Sequence, residues 1–225
     1  MSPLELALVC VAIGLVLLTG RSILPDLLTL VQPSRLRCWF LDAEQEAKTL
    51  GASPLLEECL QGLKVQHFFL LGIKAEKLPL WGKDYREVAL AARDHSAFAS
   101  IVLHPFGAPA SVYLYTPLRG GGMVFTRDYA RGPQTESDRL SVRNVPTEDL
   151  EKLVSDHRAR VEAMRARGAV LDLRPSQAGR LDATRAFYAS EYFRRAAMPH
   201  IIPGLAGFVV SLILLLWAVL APLLK

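Results

Sequence analysis

Five histidines, His67, His95, His104, His157 and His200, are the residues of this chain best suited to proton transfer or metal binding. None forms an HxH or HExxH pair. Because a metal site needs several ligands converging on one point, no metal is expected. His157 stands apart, for it falls on the apolar side of a helix beginning near Thr147. There it reads either as a buried imidazole hydrogen-bonded to the sheet or as a catalytic or ligand-gripping group.

Other reactive types are weaker. Cys10, Cys38 and Cys59 are odd in number, lack a CxxC spacing and point to a reducing compartment rather than to a disulfide framework. There is no GxSxG, and Glu57 and Glu58 are adjacent in an expected helix, hence on different parts of its surface. Arg119-Gly120-Gly121-Gly122 lacks the Lys and hydroxyl residue of a phosphate loop and is followed by strand-like Met123–Thr126, so it reads as a hairpin tip. No motif asks for a cofactor.

A group of another kind stands late in the chain: Phe187, Tyr188, Tyr192, Phe193, Arg194 and Arg195. Rings and guanidinium groups in this order fit a membrane interface, with Trp217 as the opposite belt; they fit equally a helix packed onto a domain core.

That group directly precedes the most decisive stretch of the sequence. From Ile201 to Leu224 there is no formally charged residue, and Lys225 follows. A helix of this length crosses a bilayer of roughly 30 Å hydrocarbon thickness with some tilt. Leu4 to Thr19 is also apolar except for Glu5. It lacks a preceding basic region and a small-residue cleavage site, so residues 1–20 read as an uncleaved signal anchor. Residues 21–32, with Pro25 and Asp26, form a juxtamembrane or interfacial segment, and residues 199–225 the second span. Arg21, Arg35 and Arg37 follow the first run, and Arg185, Arg194 and Arg195 precede the second. Basic residues are retained on the cytoplasmic side, so residues 33–198 are expected there.

Those middle residues carry nearly all of the 26 Lys and Arg and 22 Asp and Glu, and amount to one globular domain. Asp42 to Gly62 reads as helix, with Ser53-Pro54 restarting it before Leu55–Leu63. From His67 the period changes to that of strands: His67–Ile73, Glu87–Arg93, Phe98–His104, Ser111–Thr116, Met123–Thr126 and Arg139–Val142, separated by turn formers. A helix follows Pro146-Thr147-Glu148-Asp149, and a long one capped by Ser176 runs through Phe187 and Tyr192 toward Pro199. The expected fold is α+β, an antiparallel meander of about five to six strands covered by helices and flanked by two transmembrane helices.

A net charge of +4 with no dense basic face excludes nucleic acid as the natural partner. The basic excess between Glu151 and His200, next to a span, suits anionic headgroups. The expected function is that of a membrane-anchored scaffold, accessory or regulatory module binding a protein partner at the bilayer. Two alternatives stand beside it: a binder of lipid or a small apolar ligand, and a membrane-bound enzyme using His157.

Overall fold

A computed structural model describes residues 3–220 apart from 52, 81–83, 106 and 131. Lys225 and the end of the expected second span, residues 221–224, lie outside the described residues. The chain is α+β, with a mixed, mostly antiparallel sheet between helices.

Two long helices frame it. α1 runs unbroken over Pro3–Val31, through the residues expected to form a separate interfacial piece, and α6 covers Glu191–Leu220. Both are long and apolar enough to cross a membrane, over Leu6–Val31 and Ile201–Leu220. They pack against each other along their length, and small residues allow the approach: Gly20 faces Phe208, and a Cβ on Gly204 would stand 2.6 Å from Ile23 Cδ1. Within α1, Pro25 removes one backbone donor, and the Thr29 hydroxyl donates to the Pro25 carbonyl at 2.8 Å.

Between them lie β1 (Arg37–Phe40), α2 (Ala43–Leu50), α3 (Pro54–Val65), β2 (Phe68–Lys77), β3 (Asp84–Ala92), β4 (Phe98–Leu103), β5 (Pro109–Leu118), β6 (Gly122–Arg127), β7 (Thr135–Glu136), β8 (Leu140–Asn144), α4 (Leu150–Ala166) and α5 (Gln177–Ala189). Strand order is β1-β2-β3-β4-β5-β6-β8-β7, eight strands where about five to six were expected. The meander holds from β2 to β6, but two features correct it. Short β1 and two-residue β7 add to its edges, and β8 pairs with β6 in parallel, Met123 opposite Leu140. The parallel pairing requires the connection between Arg127 and Leu140 to return along β6 before β8 begins.

Helix starts follow side-chain chemistry. Asp42 Oδ1 accepts from the Gln45 amide at 2.9 Å, and Ser176 Oγ from the Gly179 amide at 3.1 Å. The cap of α4 is Asp149 rather than Thr147, its Oδ1 accepting from the Glu151 and Lys152 amides. The long helix expected after Ser176 is broken. Ser190 takes an extended conformation at ψ 154°, and its Oγ accepts from the Phe193 amide at 3.1 Å, so α5 ends and α6 restarts within one residue.

The sheet has two covered faces. On one, Leu56, Leu60 and Leu63 of α3 and Leu153 and Val154 of α4 pack on Ile73, Val88, Leu90 and Ile101. On the other, α5 and the first turn of α6 pack Ala183, Phe187 and Tyr192 onto Phe98, Tyr115 and Phe125. A bulge between Leu70 and Gly72 decides which β2 residues face which layer. With strict alternation Lys74 and Glu76 would share a face with Phe68 and Leu70; the extra residue turns them to the α5 side instead. Gly72 itself has φ +131°, open only to glycine without strain, and a Cβ there would meet Glu46 Oε2 at 3.0 Å and Phe40 Cδ1 at 3.1 Å.

Candidate functional site: a buried charge cluster beside a cavity

Beneath α5 the sheet presents polar side chains where an apolar layer would be the default. Lys74 is fully buried, and Glu76, Glu87, Ser100 and Arg180 are buried as well. Strand register brings them together: Lys74 lies directly opposite Glu87 on the neighbouring strand, and Ser100 opposite Tyr113. Arg180 comes down from α5.

Their hydrogen bonds form one network. Lys74 Nζ pairs with Glu76 Oε1, sits 2.9 Å from Glu87 Oε1 and donates to Thr184 Oγ1 at 2.7 Å. Arg180 Nη2 reaches Glu87 Oε1 at 2.7 Å, Ser100 Oγ at 2.9 Å and the Tyr113 hydroxyl at 2.7 Å, while its Nη1 donates to Thr184 Oγ1 at 3.2 Å. The Tyr113 hydroxyl donates to Glu87 Oε2, and the Tyr188 hydroxyl to Glu76 Oε2 at 2.7 Å. Two cations face two carboxylates, so the cluster is neutral as a whole. Neutrality and near-complete pairing are what make such a group tolerable in the interior.

The electrostatics follow. Burial pushes the Glu87 carboxyl up, but Lys74, Arg180 and the hydrogen bonds from Tyr113 and Lys74 outweigh it and hold the group at about 2. For Arg180, burial works against the charge, and Tyr113, Glu87 and Glu76 more than restore it. Burial, reinforced by Glu76, raises the Tyr188 phenol well above its ordinary value. Glu87 and Arg180 thus keep their charges at neutral pH.

One donor of the cluster has no acceptor: Arg180 Nε is buried without a hydrogen-bond partner among the described residues. Arg180 also borders a cavity of about 170 Å³, whose polar side is this cluster and whose walls include Tyr85, Val102, Tyr115, Phe125 and Phe187. An apolar cavity of about 150 Å³ is large enough for benzene, so this space takes a ring-sized group. The cavity lies between α5 and the face of strands β2 to β6. Burial and then the Asp26 carboxylate of α1 raise the phenol of Tyr85 on its wall.

His157 lies elsewhere, on the opposite face of the sheet and nearly fully buried. Its two ring nitrogens meet Thr126 Oγ1 at 2.8 Å (Nδ1) and Thr116 Oγ1 at 2.9 Å (Nε2). The neighbours assign the tautomer. The Thr116 hydroxyl donates to the Ser96 carbonyl and so accepts from Nε2–H; Nδ1 of the neutral ring is then an acceptor and takes the proton of the Thr126 hydroxyl, which itself accepts from Arg160 Nη1. A neutral imidazole satisfies every group in the chain. Burial, with Arg160 and Arg158 nearby, lowers its pKa to about 3. His157 borders none of the cavities described here, and His67, His95 and His104 do not converge on it.

The aromatic and arginine group divides. Tyr188 turns inward to Glu76, and Tyr192 is buried among Phe125 and Phe187 at ring-centroid distances of 6.2 and 6.1 Å. Phe193 is half-buried against Tyr188, at 4.8 Å. Arg194 and Arg195 are exposed, as is Trp217 on the outer side of α6.

Sequence reasoning missed Lys74, Glu76, Glu87 and Arg180. Reading the strand as His67–Ile73 ends it one residue before Lys74, and charged residues there pass for a solvent-facing loop. The available signal was the Lys74-x-Glu76 spacing, which places two opposite charges on one face of a continuing strand. Compared with known proteins, the chain matches no family model, no curated protein and no solved structure.

Proposed function

We propose that this chain is a two-span membrane protein whose middle domain binds a small amphipathic ligand in the cavity between the sheet and α5. The observation that carries this reading is the unpartnered Nε–H of Arg180 beside a cavity with aromatic walls. A buried donor without an acceptor costs on the order of 1–3 kcal/mol, and a ligand oxygen that the Arg180 guanidinium shifts to meet would remove that cost. The ligand has a ring-sized or short-chain apolar body and one acceptor group. Because the cluster is already neutral, an uncharged acceptor such as a carbonyl, ether or hydroxyl fits better than a second anion.

The two terminal helices supply the setting. α6 follows directly on α5, the roof of the cavity, and Asp26 of α1 lies near Tyr85 on its wall, so a ligand drawn from the bilayer would have a short way to travel. The basic residues flanking both helices, Arg21, Arg35, Arg37, Arg185, Arg194 and Arg195, support a cytoplasmic position for the domain.

The test is native mass spectrometry of the full chain released from membranes, with the wild type compared with Val102→Trp, which fills the cavity from its sheet wall. A discrete adduct on the wild type that is absent from the filled variant supports the reading. An unliganded wild type that gains no adduct from extracts of its own membranes would sink it.

A second reading, a module binding a protein partner, draws on the edge strand β1. Its outer side is unpaired in the sheet order, and Trp39 on it is 41% exposed. Crosslinking in intact membranes through position 39 that returned only the monomer would count against it.

A further inference from the structure

A second concavity lies on the other side of the β2–β3 hairpin, and the ligand cavity does not include it. It is a groove of about 520 Å³ formed by Ser34, Arg35, Arg37 and Lys77 with Leu78, Pro79 and Leu80. Its cations come from separate elements. Arg35 ends the single 3-10 turn Pro33–Arg35 that follows α1, Arg37 opens β1, and Lys77 is the cross-strand partner of Arg37. Of the acids around it, Asp84 stands 3.6 Å from Lys77. Neither Arg35 nor Arg37 has an ion pair among the described residues, and both are exposed. The groove thus holds an excess of positive charge with free guanidinium donors. Its floor is apolar, and Leu80, at φ +60°, is half exposed.

We infer that this groove binds the phosphate of an anionic phospholipid. The chemistry is charge complementarity: guanidinium groups take phosphate oxygens by paired hydrogen bonds, and a lysine adds a point charge. Position selects a lipid over a free phosphate. Arg35 follows the last residue of α1, Val31, by one turn, which is headgroup depth for a helix crossing over Leu6–Val31. Leu80 adds a half-exposed apolar side chain beside these cations, which a soluble phosphate ester would leave uncovered. The groove and the ligand cavity are separate sites; the inference rests on α1 and α6 crossing the bilayer and not on what the cavity holds.

The experiment uses the full chain in nanodiscs of phosphatidylcholine with phosphatidylglycerol at one part in five. Incorporation is scored first, and a chain that stays in solution without detergent or lipid overturns the two-span reading itself. Lipid retained on the released protein is then counted by native mass spectrometry. The wild type is expected to enrich phosphatidylglycerol over phosphatidylcholine by about fivefold or more, the equivalent of one favourable basic contact at a membrane surface. The triple change Arg35→Gln, Arg37→Gln and Lys77→Gln is expected to abolish the enrichment. The control Arg143→Gln, Arg165→Gln and Arg167→Gln removes equal charge away from the groove and is expected to leave it intact. All six side chains lie at least partly at the surface, and Arg35→Gln alone provides a milder variant with a partial loss. No enrichment in the wild type, or equal loss in the control, would overturn the inference. Displacement of bound lipid by millimolar glycerol phosphate would assign the groove to free phosphate esters and overturn the lipid as its occupant.

Discussion

Glu87 and Arg180, 93 residues apart in sequence, meet at 2.7 Å in the interior, and each helps to keep the other ionised there, alongside Lys74 for Glu87 and Tyr113 for Arg180. One arrives on a strand and the other on the helix laid across it. Removing either leaves a charge that water cannot reach.

Arg180→Met is therefore expected to destabilise the protein by about 3–5 kcal/mol, and Glu87→Gln by a similar amount. The double variant should cost clearly less than the sum, because the residual buried charge is gone. Chemical denaturation of the full chain in mild detergent, followed by circular dichroism, measures all three. Strict additivity would mean that the pair is not coupled.

Acid should weaken the fold in two steps. His157 has a folded pKa of about 3, below its unfolded 6.5. The unfolded chain binds the extra proton, so the stability His157 lends is complete above pH 6.5 and declines as pH falls toward 3. Glu87, at about 2 against 4.5, starts to lose its contribution only below pH 4.5. Between pH 6.5 and 5 the loss should reach about 2 kcal/mol and belong mainly to His157. His157→Gln is expected to lower stability at pH 7 and flatten the profile over that interval; an unchanged slope would be against the assignment.

Gly72→Ala tests the bulge that aims Lys74 and Glu76. Its φ of +131° and the contacts awaiting a Cβ predict a loss of about 1–3 kcal/mol. Since relief of that strain moves β2, the variant should also lose any ligand retained by the wild type in native mass spectrometry. A neutral substitution would show that the bulge is dispensable.

Sidedness has its own measurement. In a chain with its natural cysteines replaced by serine, a single cysteine at Gly121 in the open turn between β5 and β6 is expected to resist an impermeant maleimide in intact cells. It should react once the membrane is opened. Labelling from outside would place the domain on the other side.

Much of the fold could be read from the chain. The strands from Phe68 to Arg127 announce themselves by β-branched and aromatic runs between turn formers, and Ser176 announces α5. The apolar ends are plain from composition. What stayed hidden depended on context. β1 and β7 are too short to show a period. The pairing of β8 with β6 is a matter of chain path rather than of residue type. The break at Ser190 interrupts a pattern that is helical on both sides. Above all, Lys74 and Glu87 have the composition of surface residues, and only the α5 layer, from more than ninety positions away, makes them interior. His157 was legible as a buried position, yet its hydroxyl partners Thr116 and Thr126 become neighbours only when β5 and β6 pair.

Ser190 carries a mechanical consequence. The helix that bears Arg180 and Tyr188, and so roofs the cavity, is joined to α6 by that single extended residue, while Tyr85 on the facing wall stands near Asp26 of α1. Roof and wall thus each neighbour a different member of the same helical pair. Under the proposed two-span placement, a change in how α1 and α6 lean against each other, as when the bilayer thins or thickens around them, would widen or narrow the chamber above. Occupancy of the chamber and tilt of the pair become two readings of one joint.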